Sequence, residues 1–453
     1  MSAVINTNTY AGEPLPLVTG NAGRTFAWRH GAPVTLARFV AQVRAVAARL
    51  PPGACAVNLC DDRYNFLVAF CAVACAGQTN LLPPSRAPQA VADVMQAHAG
   101  SYAIVDRAPD PASPCTWRLP DLDALTLDEL PYQAPHLPGE HIVAIGYTSG
   151  STGVPKANPK TWASFSASTA LNANLLRDRC GTEPLNLVAT VPSQHMYGME
   201  TSVLLPLLAD VAIHDARPLL PADVARALAA VPSPRVLVAT PVHLRALVQA
   251  GVTLPPLAAV LSATAPLAPD LAAAAEACFD APVIEVFGST ETCVIAHRRT
   301  ARDEDWQAYA GVELKPQPDG TQVDAPWFDT PVLLQDVMEL LPQHRFRLRG
   351  RNADLLEVAG KRASLGDLTR RLLAIPGVED AVVFQNDDAD TAVHRIAALA
   401  VAPTLSEAQI LAALRTAVDP AFLPRPLRVV AKLPRNETGK LPRAALLGVL
   451  RGG

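Results

Sequence analysis

The chain has 453 residues, of which 50% are hydrophobic and 18% are charged, with 42 prolines and a net charge of −4. A chain of this length and composition is folded and exceeds one ordinary hydrophobic core, so we expect two or more domains. The small negative charge and a pI near 6.2 exclude the electrostatic signature of proteins that bind nucleic acids or anionic membranes.

The N-terminal segment lacks the charged and apolar regions of a signal peptide. The longest apolar stretch, residues 66–77, is shorter than the about 20 residues that span a bilayer. Eight cysteines occur without a Cys-x-x-Cys pair, and the spacing of Cys71 and Cys75 is typical of two buried thiols on one helix. These features predict a reduced, cytoplasmic protein without a membrane span.

Hydrophobic periodicity predicts an α/β fold. An apolar stripe over residues 36–50 predicts a helix, and short β-branched runs then alternate with helical ones. Such alternation predicts parallel sheets flanked by helices. Strands are predicted at residues 55–59, 102–105, 142–145, 187–191, 211–214, 236–239, 258–261 and 283–287.

The pattern changes near Arg349 to that of a small α+β domain. A capping-box helix should begin at Ser406, because glutamine follows three residues later. We therefore predict a large α/β domain over residues 1–349 and a small α+β domain over residues 350–453, a common domain size. Within the small domain, helices are predicted at residues 365–373, after 406 and after about 443, and strands at 381–384, 396–401 and 427–430.

Residues 147–156 read Tyr-Thr-Ser-Gly-Ser-Thr-Gly-Val-Pro-Lys and follow a predicted strand, where α/β sheets usually bind ligands. Glycines let backbone N–H groups approach phosphate oxygens, hydroxyls add donors and lysine adds a cation. A Walker P-loop is excluded because proline precedes the lysine, and a nucleophile elbow because the serine stands one position late. The candidate phosphate ligands are Thr148, Ser149, Gly150, Ser151, Thr152, Gly153 and Lys156.

Two further segments carry candidate site residues. In residues 283–291 a strand runs into a polar turn, and Glu291 suits Mg²⁺, which prefers one or two carboxylates with phosphate oxygens and water. The same pattern also occurs at ordinary helix starts. In residues 192–198, His195 lies in an apolar stretch, where a histidine is either structural or part of a site.

Together these segments resemble the adenylate-forming superfamily: acyl-CoA synthetases, aryl-acid ligases, luciferases and nonribosomal-peptide adenylation domains. The resemblance is carried by the phosphate loop, the Pro-x-x-His-x-x-Gly of residues 192–198, the aromatic-Gly-x-Thr-Glu of residues 287–291 and the Leu-Pro-Arg-Asn-Glu-Thr-Gly-Lys of residues 433–440. The matches follow the family's order and cover residues 140–445.

The resemblance implies a two-step ligase that uses ATP and Mg²⁺. An acid first forms an acyl adenylate with release of pyrophosphate, and a thiol then displaces AMP. It implies catalytic roles for Lys440, His195 and Glu291, and metal binding by Glu291 and Thr148. For the nucleotide it implies, besides the phosphate loop, Ala263, Thr264, Phe287, Gly288, Thr290, Asp336, Arg351 and Arg362. For the acid it implies His195, Tyr197, Gly198, Ala265 and Gly288.

The chain departs from the family pattern in places. Ala263 and Thr264 replace the usual glycines, Asp336 lacks the preceding Thr-Gly, and Ala353 replaces the charged hinge residue. The resemblance nevertheless implies that the small domain, which carries Lys440, rotates between the two steps, with Gly360 lining the path of the thiol.

The sequence favours an aromatic acid such as hydroxybenzoate, transferred to an acyl carrier protein or to CoA. Residues 190–200 contain no aspartate for an amino group, and the run at residues 360–365 resembles AMP-ligases of aryl-polyene and xanthomonadin-type pigment clusters. A medium-chain fatty acyl-CoA synthetase and a degenerate, non-catalytic adenylate-binding protein are the alternatives.

Overall fold

A computed structural model describes residues 13–107, 115–127, 131–148, 156–351, 355–358, 361–386, 395–418, 420–436 and 439–452. The chain divides into two compact units. Unit 1 comprises residues 1–312 with 325–330, and unit 2 comprises residues 313–324 with 331–453. The functional boundary after residue 349 stays a prediction.

Unit 1 is built from strands and helices that alternate along most of its length. Its strands are β1 (Pro14–Pro16), β2 (Thr25–Arg29), β3 (Ala32–Thr35), β4 (Cys55–Asn58), β5 (Thr79–Leu82), β6 (Tyr102–Val105), β7 (Thr116–Arg118), β8 (His136–Pro138), β9 (Ile142–Thr148), β10 (Lys156–Thr161), β11 (Leu185–Ala189), β12 (Val211–His214), β13 (Arg235–Ala239), β14 (Ala259–Ser262), β15 (Val283–Ser289), β16 (Cys293–Arg298) and β17 (Trp306–Ala308). Its helices are α1 (Leu36–Ala47), α2 (Arg63–Cys75), α3 (Pro88–Gln96), α4 (Trp162–Cys180), α5 (Met196–Met199), α6 (Leu205–Leu208), α7 (Pro221–Ala229), α8 (Pro241–Ala250) and α9 (Pro269–Phe279), with a π-helical turn (Glu200–Leu204) between α5 and α6.

The first sheet of unit 1 has the order β10-β9-β5-β4-β6-β7, parallel except for the β9–β10 hairpin. Helix α2 lies against it and is apolar on nearly every side, as expected for a helix that is buried all round. Cys71 and Cys75 in α2 are free thiols, and burial raises the pKa of Cys75 to about 11. Among the described residues no helix combines the length and apolar character that crossing a membrane requires.

The second sheet of unit 1 runs β17-β16-β15-β14-β13-β11-β12-β2-β3. The pairs from β15 to β2 are parallel, and the β15–β16, β16–β17 and β2–β3 pairs are antiparallel. Apolar residues of β11, β13, β14 and β15 form one core with α7, α8 and α9. The carboxyl ends of these parallel strands meet at one edge, where α/β sheets bind ligands.

Unit 2 contains small, mostly antiparallel sheets. Its strands are β18 (Glu313–Gln317), β19 (Gly320–Asp324), β20 (Val332–Leu334), β21 (Asp336–Leu341), β22 (Arg345–Arg351), β23 (Leu355–Val358), β24 (Lys361–Ser364), β25 (Asp380–Asn386), β26 (Arg395–Val401) and β27 (Leu427–Val429). Its helices are α10 (Leu365–Leu373), α11 (Glu407–Ala417) and α12 (Arg443–Leu450), with a 3₁₀ turn (Pro420–Phe422). Two apolar clusters cover the faces of the β25-β26-β27 sheet.

The predicted α/β fold class is confirmed, and each strand and helix predicted above is present within a few residues. Helix α10 has the predicted bounds, and Ser406 caps α11 with both hydrogen bonds of the predicted capping box. Strand β9 continues to Thr148, three residues beyond the predicted end, because it pairs with β10.

Candidate active site

Three of the predicted segments meet beside Gly146, near the end of β9. A Cβ atom placed on Gly146 would lie 2.8 Å from Cγ2 of Thr290 and 3.3 Å from Cε of Met196. Thr290 belongs to the turn that carries Glu291, and Met196 follows His195. The end of the strand before the phosphate loop, the Glu291 turn and the His195 segment therefore contact one another in unit 1.

The predicted phosphate loop lies in the sequence between the two strands of the β9–β10 hairpin. Thr148 and Lys156 face each other in register as its last pair, so the loop between them is a hairpin connection. The Nδ2 of Asn158 donates to the carbonyls of Gly146 (3.3 Å) and Lys156 (3.1 Å), which fixes the base of the hairpin. The predicted ligands Ser149, Gly150, Ser151, Thr152 and Gly153 lie outside the described residues.

Glu291 lies in the tight turn between the antiparallel strands β15 and β16, and not at a helix start. Side chains inside the turn hold it, since the backbone N–H groups of Glu291 and Thr292 both donate to Oγ of Ser289 at 3.2 Å. Gly288 is required here because a Cβ on it would lie 2.1 Å from the carbonyl oxygen of Cys293. The turn thus presents Thr290 and Glu291 on a fixed backbone.

The donor set around Glu291 fits Mg²⁺ held together with a nucleotide. Among the described residues, no three His, Cys, Asp or Glu side chains lie close enough to hold a metal ion alone. A single half-buried carboxylate, in a turn that contacts the strand before the predicted phosphate loop, suits Mg²⁺, which keeps waters and shares phosphate oxygens.

The Pro-x-x-His-x-x-Gly segment has a steric basis. A Cβ on Gly198 would lie 1.9 Å from the carbonyl oxygen of Pro192, so only glycine lets helix α5 pack on that carbonyl. His195 is the N-cap residue of α5 and its carbonyl accepts from Met199 N at 2.7 Å. The helix therefore fixes the backbone of His195 at the carboxyl end of β11.

The side chain of Arg63 in α2 stabilises the backbone that leads into the same segment. This buried guanidinium donates to the carbonyls of Ala189 and Val191 at 2.9 Å and to Oγ of Ser193 at 3.0 Å. Burial lowers the pKa of Arg63 to about 9, with nearby Arg217 acting in the same direction. Sequence reasoning missed Arg63, although a charge at the start of an apolar helix is a visible signal.

Tyr197 and a neighbouring polar cluster lie at the ends of β11 and β13. The hydroxyl of Tyr197 donates to the carbonyl of Ala239 at 3.2 Å, and burial raises its pKa well above the ordinary value. Next to it, Nδ1 of His243 lies 2.8 Å from Oγ1 of Thr240 and 3.1 Å from Oγ1 of Thr190. These residues form a polar wall beside the His195 segment.

The loop after β14 carries Ala263, Thr264 and Ala265. Thr264 adopts a φ of +81°, the left-handed region that favours glycine, at a position where the family has one. Glu285 of β15 anchors this loop, since its carboxylate accepts from Leu267 N at 3.0 Å and from Arg298 Nε at 2.8 Å. Phe287, two residues further along β15, packs on Trp306 with 5.4 Å between ring centroids.

Glu200 is a buried carboxylate in the π-helical turn that follows the His195 segment. Its two oxygens accept from Val294 N at 3.0 and 3.1 Å, and Oε1 also accepts from Nδ2 of Asn172 at 3.2 Å. Burial raises the pKa of Glu200 to about 7, which these hydrogen bonds and the charge of Lys160 oppose. Sequence reasoning missed Glu200, although a lone acid inside an apolar run is a visible signal.

Unit 2 contains the remaining predicted residues. Asp336 and Arg351, expected to hold the ribose, lie opposite each other in the backbone register of the β21–β22 hairpin. Arg362 lies in β24, in register with Glu357. Ala353 and Gly360 lie outside the described residues.

Lys440 is exposed at the end of a loop whose backbone is anchored in unit 2. Its N–H donates to Oδ1 of Asn436 at 2.9 Å, and its carbonyl accepts from Asn436 N at 2.8 Å. Arg435 ties the loop to β25 through Asp380 (2.7 Å) and donates to the carbonyl of Gly439 (2.7 Å). Sequence reasoning missed this anchor, because Asp380 lies 55 residues from Arg435.

Comparison with known proteins gives a consistent result. The family model described as "AMP-binding enzyme" matches residues 19–334. A 4-coumarate–CoA ligase of Rhodobacter capsulatus is 32% identical over 314 residues, covering 66% of this chain and 74% of the relative. Another, from Halorhodospira halophila, is 30% identical over 65% of this chain and 73% of the relative.

Solved structures share the fold. The o-succinylbenzoate CoA synthetase of Bacillus subtilis, solved with its acyl-adenylate intermediate, superposes with a TM-score of 0.80 at 18% identity and covers 94% of this chain and 95% of its own. The same enzyme with ATP and magnesium gives a TM-score of 0.79 at 19% identity, with 93% and 96% covered. The chain therefore belongs to the family of AMP-binding enzymes, the adenylate-forming ligases.

Proposed function

We propose that this enzyme activates an aromatic carboxylic acid with ATP and Mg²⁺ and transfers the acyl group to the thiol of CoA. The convergence of the phosphate hairpin, the Glu291 turn and the His195 segment at Gly146 carries the proposal. The relatives named 4-coumarate–CoA ligase support the aromatic acid and the CoA acceptor.

In the first step a carboxylate oxygen attacks the α-phosphorus of ATP and pyrophosphate leaves. Lys156 and the hydroxyls of the phosphate loop hold the β- and γ-phosphates, and Thr148 and Glu291 would hold Mg²⁺. When bound, Mg²⁺ supplies positive charge that offsets the charge developing on pyrophosphate. Catalysis of this kind depends on positioning and charge stabilisation, because anions must be brought together.

The acid occupies the space at the carboxyl ends of the strands, next to His195. Ala265 lies at the wall of this space, while Gly198 and Gly288 allow the close backbone contacts with Pro192 and Cys293 that shape it. His195 flanks the carboxylate, and Tyr197 shapes the wall by its hydrogen bond to β13.

Lys440 acts from unit 2. It bridges the acid carboxylate and the α-phosphate and stabilises the charge of the transition state. Asp336 and Arg351 hold the ribose, and Arg362 contributes to binding of the nucleotide. In the second step the thiol attacks the adenylate carbonyl, the C–O bond to phosphate breaks, and AMP leaves.

The test is product analysis with a panel of 4-hydroxybenzoate, 4-coumarate and straight-chain medium-length acids, each with ATP, Mg²⁺ and CoA. We expect a thioester of CoA from an aromatic acid and little from the straight-chain acids. Preference for straight-chain acids would contradict the aromatic assignment. Adenylate formation without CoA thioester, followed by loading of an acyl carrier protein, would replace CoA by the carrier protein as acceptor.

A further inference from the structure

A buried cation and a buried anion bracket the turn that carries Glu291. Lys160 of β10 is 7% exposed, and its Nζ donates to the backbone carbonyl of Glu291 at 2.5 Å. Glu200 is 1% exposed, and both its carboxylate oxygens accept from the backbone N–H of Val294. The two charged groups therefore hold opposite ends of the four residues 291–294.

The backbone of residues 291–294 requires stabilising contacts from neighbouring elements. Cys293, between the two held positions, has a φ of +59°, which a residue with a Cβ rarely adopts outside special turns. Its thiol is buried against Sδ of Met196 at 3.9 Å. Charge-assisted hydrogen bonds in a buried site are among the strongest that a protein offers, so they can maintain such a backbone.

The carboxylate of Glu200 is itself fixed by hydrogen bonds. Nδ2 of Asn172 in α4 donates to Glu200, and the hydroxyl of Tyr309 donates to Oδ1 of Asn172 at 2.8 Å. Glu200 lies in a π-helical turn, an irregularity that occurs mostly at functional sites and redirects side chains. The chain Tyr309–Asn172–Glu200–Val294 thus links helix α4 to the start of β16.

Lys160 contacts the Glu291 turn from strand β10 of the β9–β10 hairpin. Lys160 lies four residues after Lys156 on β10, the strand that returns from the phosphate loop. Its ammonium couples the position of the hairpin to that of the Glu291 carbonyl. A displacement of either element would break this contact and leave a buried charge without its hydrogen bond, which is costly.

We propose that Lys160 and Glu200 are positioning residues that fix the Thr290–Glu291 turn against the phosphate hairpin, and so set the placement of the metal-binding carboxylate. The consequence for activity rests on the proposed role of Glu291. The mechanical part of the proposal, that the pair holds residues 291–294, is independent of that role.

The variants Lys160→Met, Lys160→Arg and Glu200→Gln test the proposal. Glu276→Gln is a matched control, because Glu276 also accepts from a backbone N–H (Val283) and from an arginine (Arg299), but lies on α9, outside this network. Amide hydrogen exchange is followed over residues 288–294, and the rate of adenylation is measured against Mg²⁺ concentration.

We expect Lys160→Met and Glu200→Gln to accelerate exchange at residues 291–294 at least about 10-fold. We also expect both to raise the KM for Mg²⁺ several-fold more than they lower kcat, because a displaced ligand weakens metal binding first. Lys160→Arg should restore most of the loss, since it keeps the charge and a donor. Glu276→Gln should leave exchange at residues 291–294 and the KM for Mg²⁺ unchanged.

Unchanged exchange at residues 291–294 in Glu200→Gln would overturn the proposal, and this variant decides the matter if Lys160→Met does not fold. Faster exchange with an unchanged KM for Mg²⁺ would overturn the link to the metal. The variant Glu291→Gln is measured in parallel to separate this outcome from a failure of the proposed function. If Glu291 does not bind the metal, the KM for Mg²⁺ will be unchanged in Glu291→Gln as well.

Discussion

Gly198 lies where its neighbours leave no room for a side chain. The carbonyl oxygen of Pro192 would be 1.9 Å from a Cβ at this position, so the backbone of the His195 segment must shift to admit an alanine. Overpacking of this kind typically costs about 1–3 kcal/mol. The motif Pro-x-x-His-x-x-Gly therefore has a packing basis as well as a chemical one.

We expect Gly198→Ala to lower the free energy of unfolding by about 2 kcal/mol or more and to reduce activity by displacing His195. Gly448→Ala is the matched control, because nothing lies within 4 Å of a Cβ at that position in helix α12. This control should raise stability by about 0.5–1 kcal/mol, since alanine favours helix. Denaturant unfolding checks both, and equal stability of the two variants would contradict the steric account.

Glu200 makes stability depend on pH. Its pKa is raised by burial from 4.5 to about 7, so between these values the folded state binds a proton that the unfolded state has lost. Stability from this group is therefore present at low pH and is lost as pH rises through about 7. From about pH 5 to about pH 8 the wild-type enzyme should lose about 2 kcal/mol more than Glu200→Gln.

Denaturant unfolding of both proteins at the two pH values measures this difference. The variant removes the ionisation of Glu200, so the two proteins are compared in the pH dependence of their stability and not in its absolute value. Parallel pH dependences for wild type and variant would show that Glu200 has an ordinary pKa, contrary to its burial.

At the scale of elements, the sequence predicted the segments with local signatures and missed the contacts between them. Thr148, Glu291 and Lys440 were predicted because each lies in a short motif with a recognisable chemistry. Arg63 was not, because its role depends on partners far along the chain: it bonds to residues 126 and 128 positions away. Glu285 was not, because its partners Leu267 and Arg298 lie in other elements, 18 and 13 residues away. A buried charge acts through tertiary contacts, which periodicity does not reveal.

The Lys440 loop is an element whose anchor can be tested separately from its lysine. Arg435 and Asp380 form a half-buried ion pair that also orders the carbonyl of Gly439. We expect Asp380→Ala to cut adenylation about 10-fold by loosening this loop, because catalysis by a positioned charge depends on its placement.

Asp223→Ala is the control for Asp380→Ala, since Asp223 forms an exposed pair with Arg226 on α7 and exposed pairs contribute little. Initial rates of pyrophosphate release compare the two variants. A rate for Asp380→Ala equal to that of the control would show that the anchor does not position Lys440.

At the scale of the whole molecule, the alternation of strands and helices sufficed to predict the α/β class, and the order of motifs sufficed to predict the family. Strands β18 to β22 belong to unit 2, within which β18 and β19 contact β21, and β22 contacts α10 and β24. No local signal marks that packing, because these strands read as ordinary half-polar strands.

The most direct test of the account is acid-dependent release of pyrophosphate from ATP and Mg²⁺, measured with 4-coumarate and 4-hydroxybenzoate for the wild-type enzyme and Lys440→Ala. The account predicts release that requires the acid and falls at least about 100-fold in the variant, as for loss of one transition-state charge contact. Release by Lys440→Ala at a near wild-type rate, or no release by the wild-type enzyme with any acid, would contradict it.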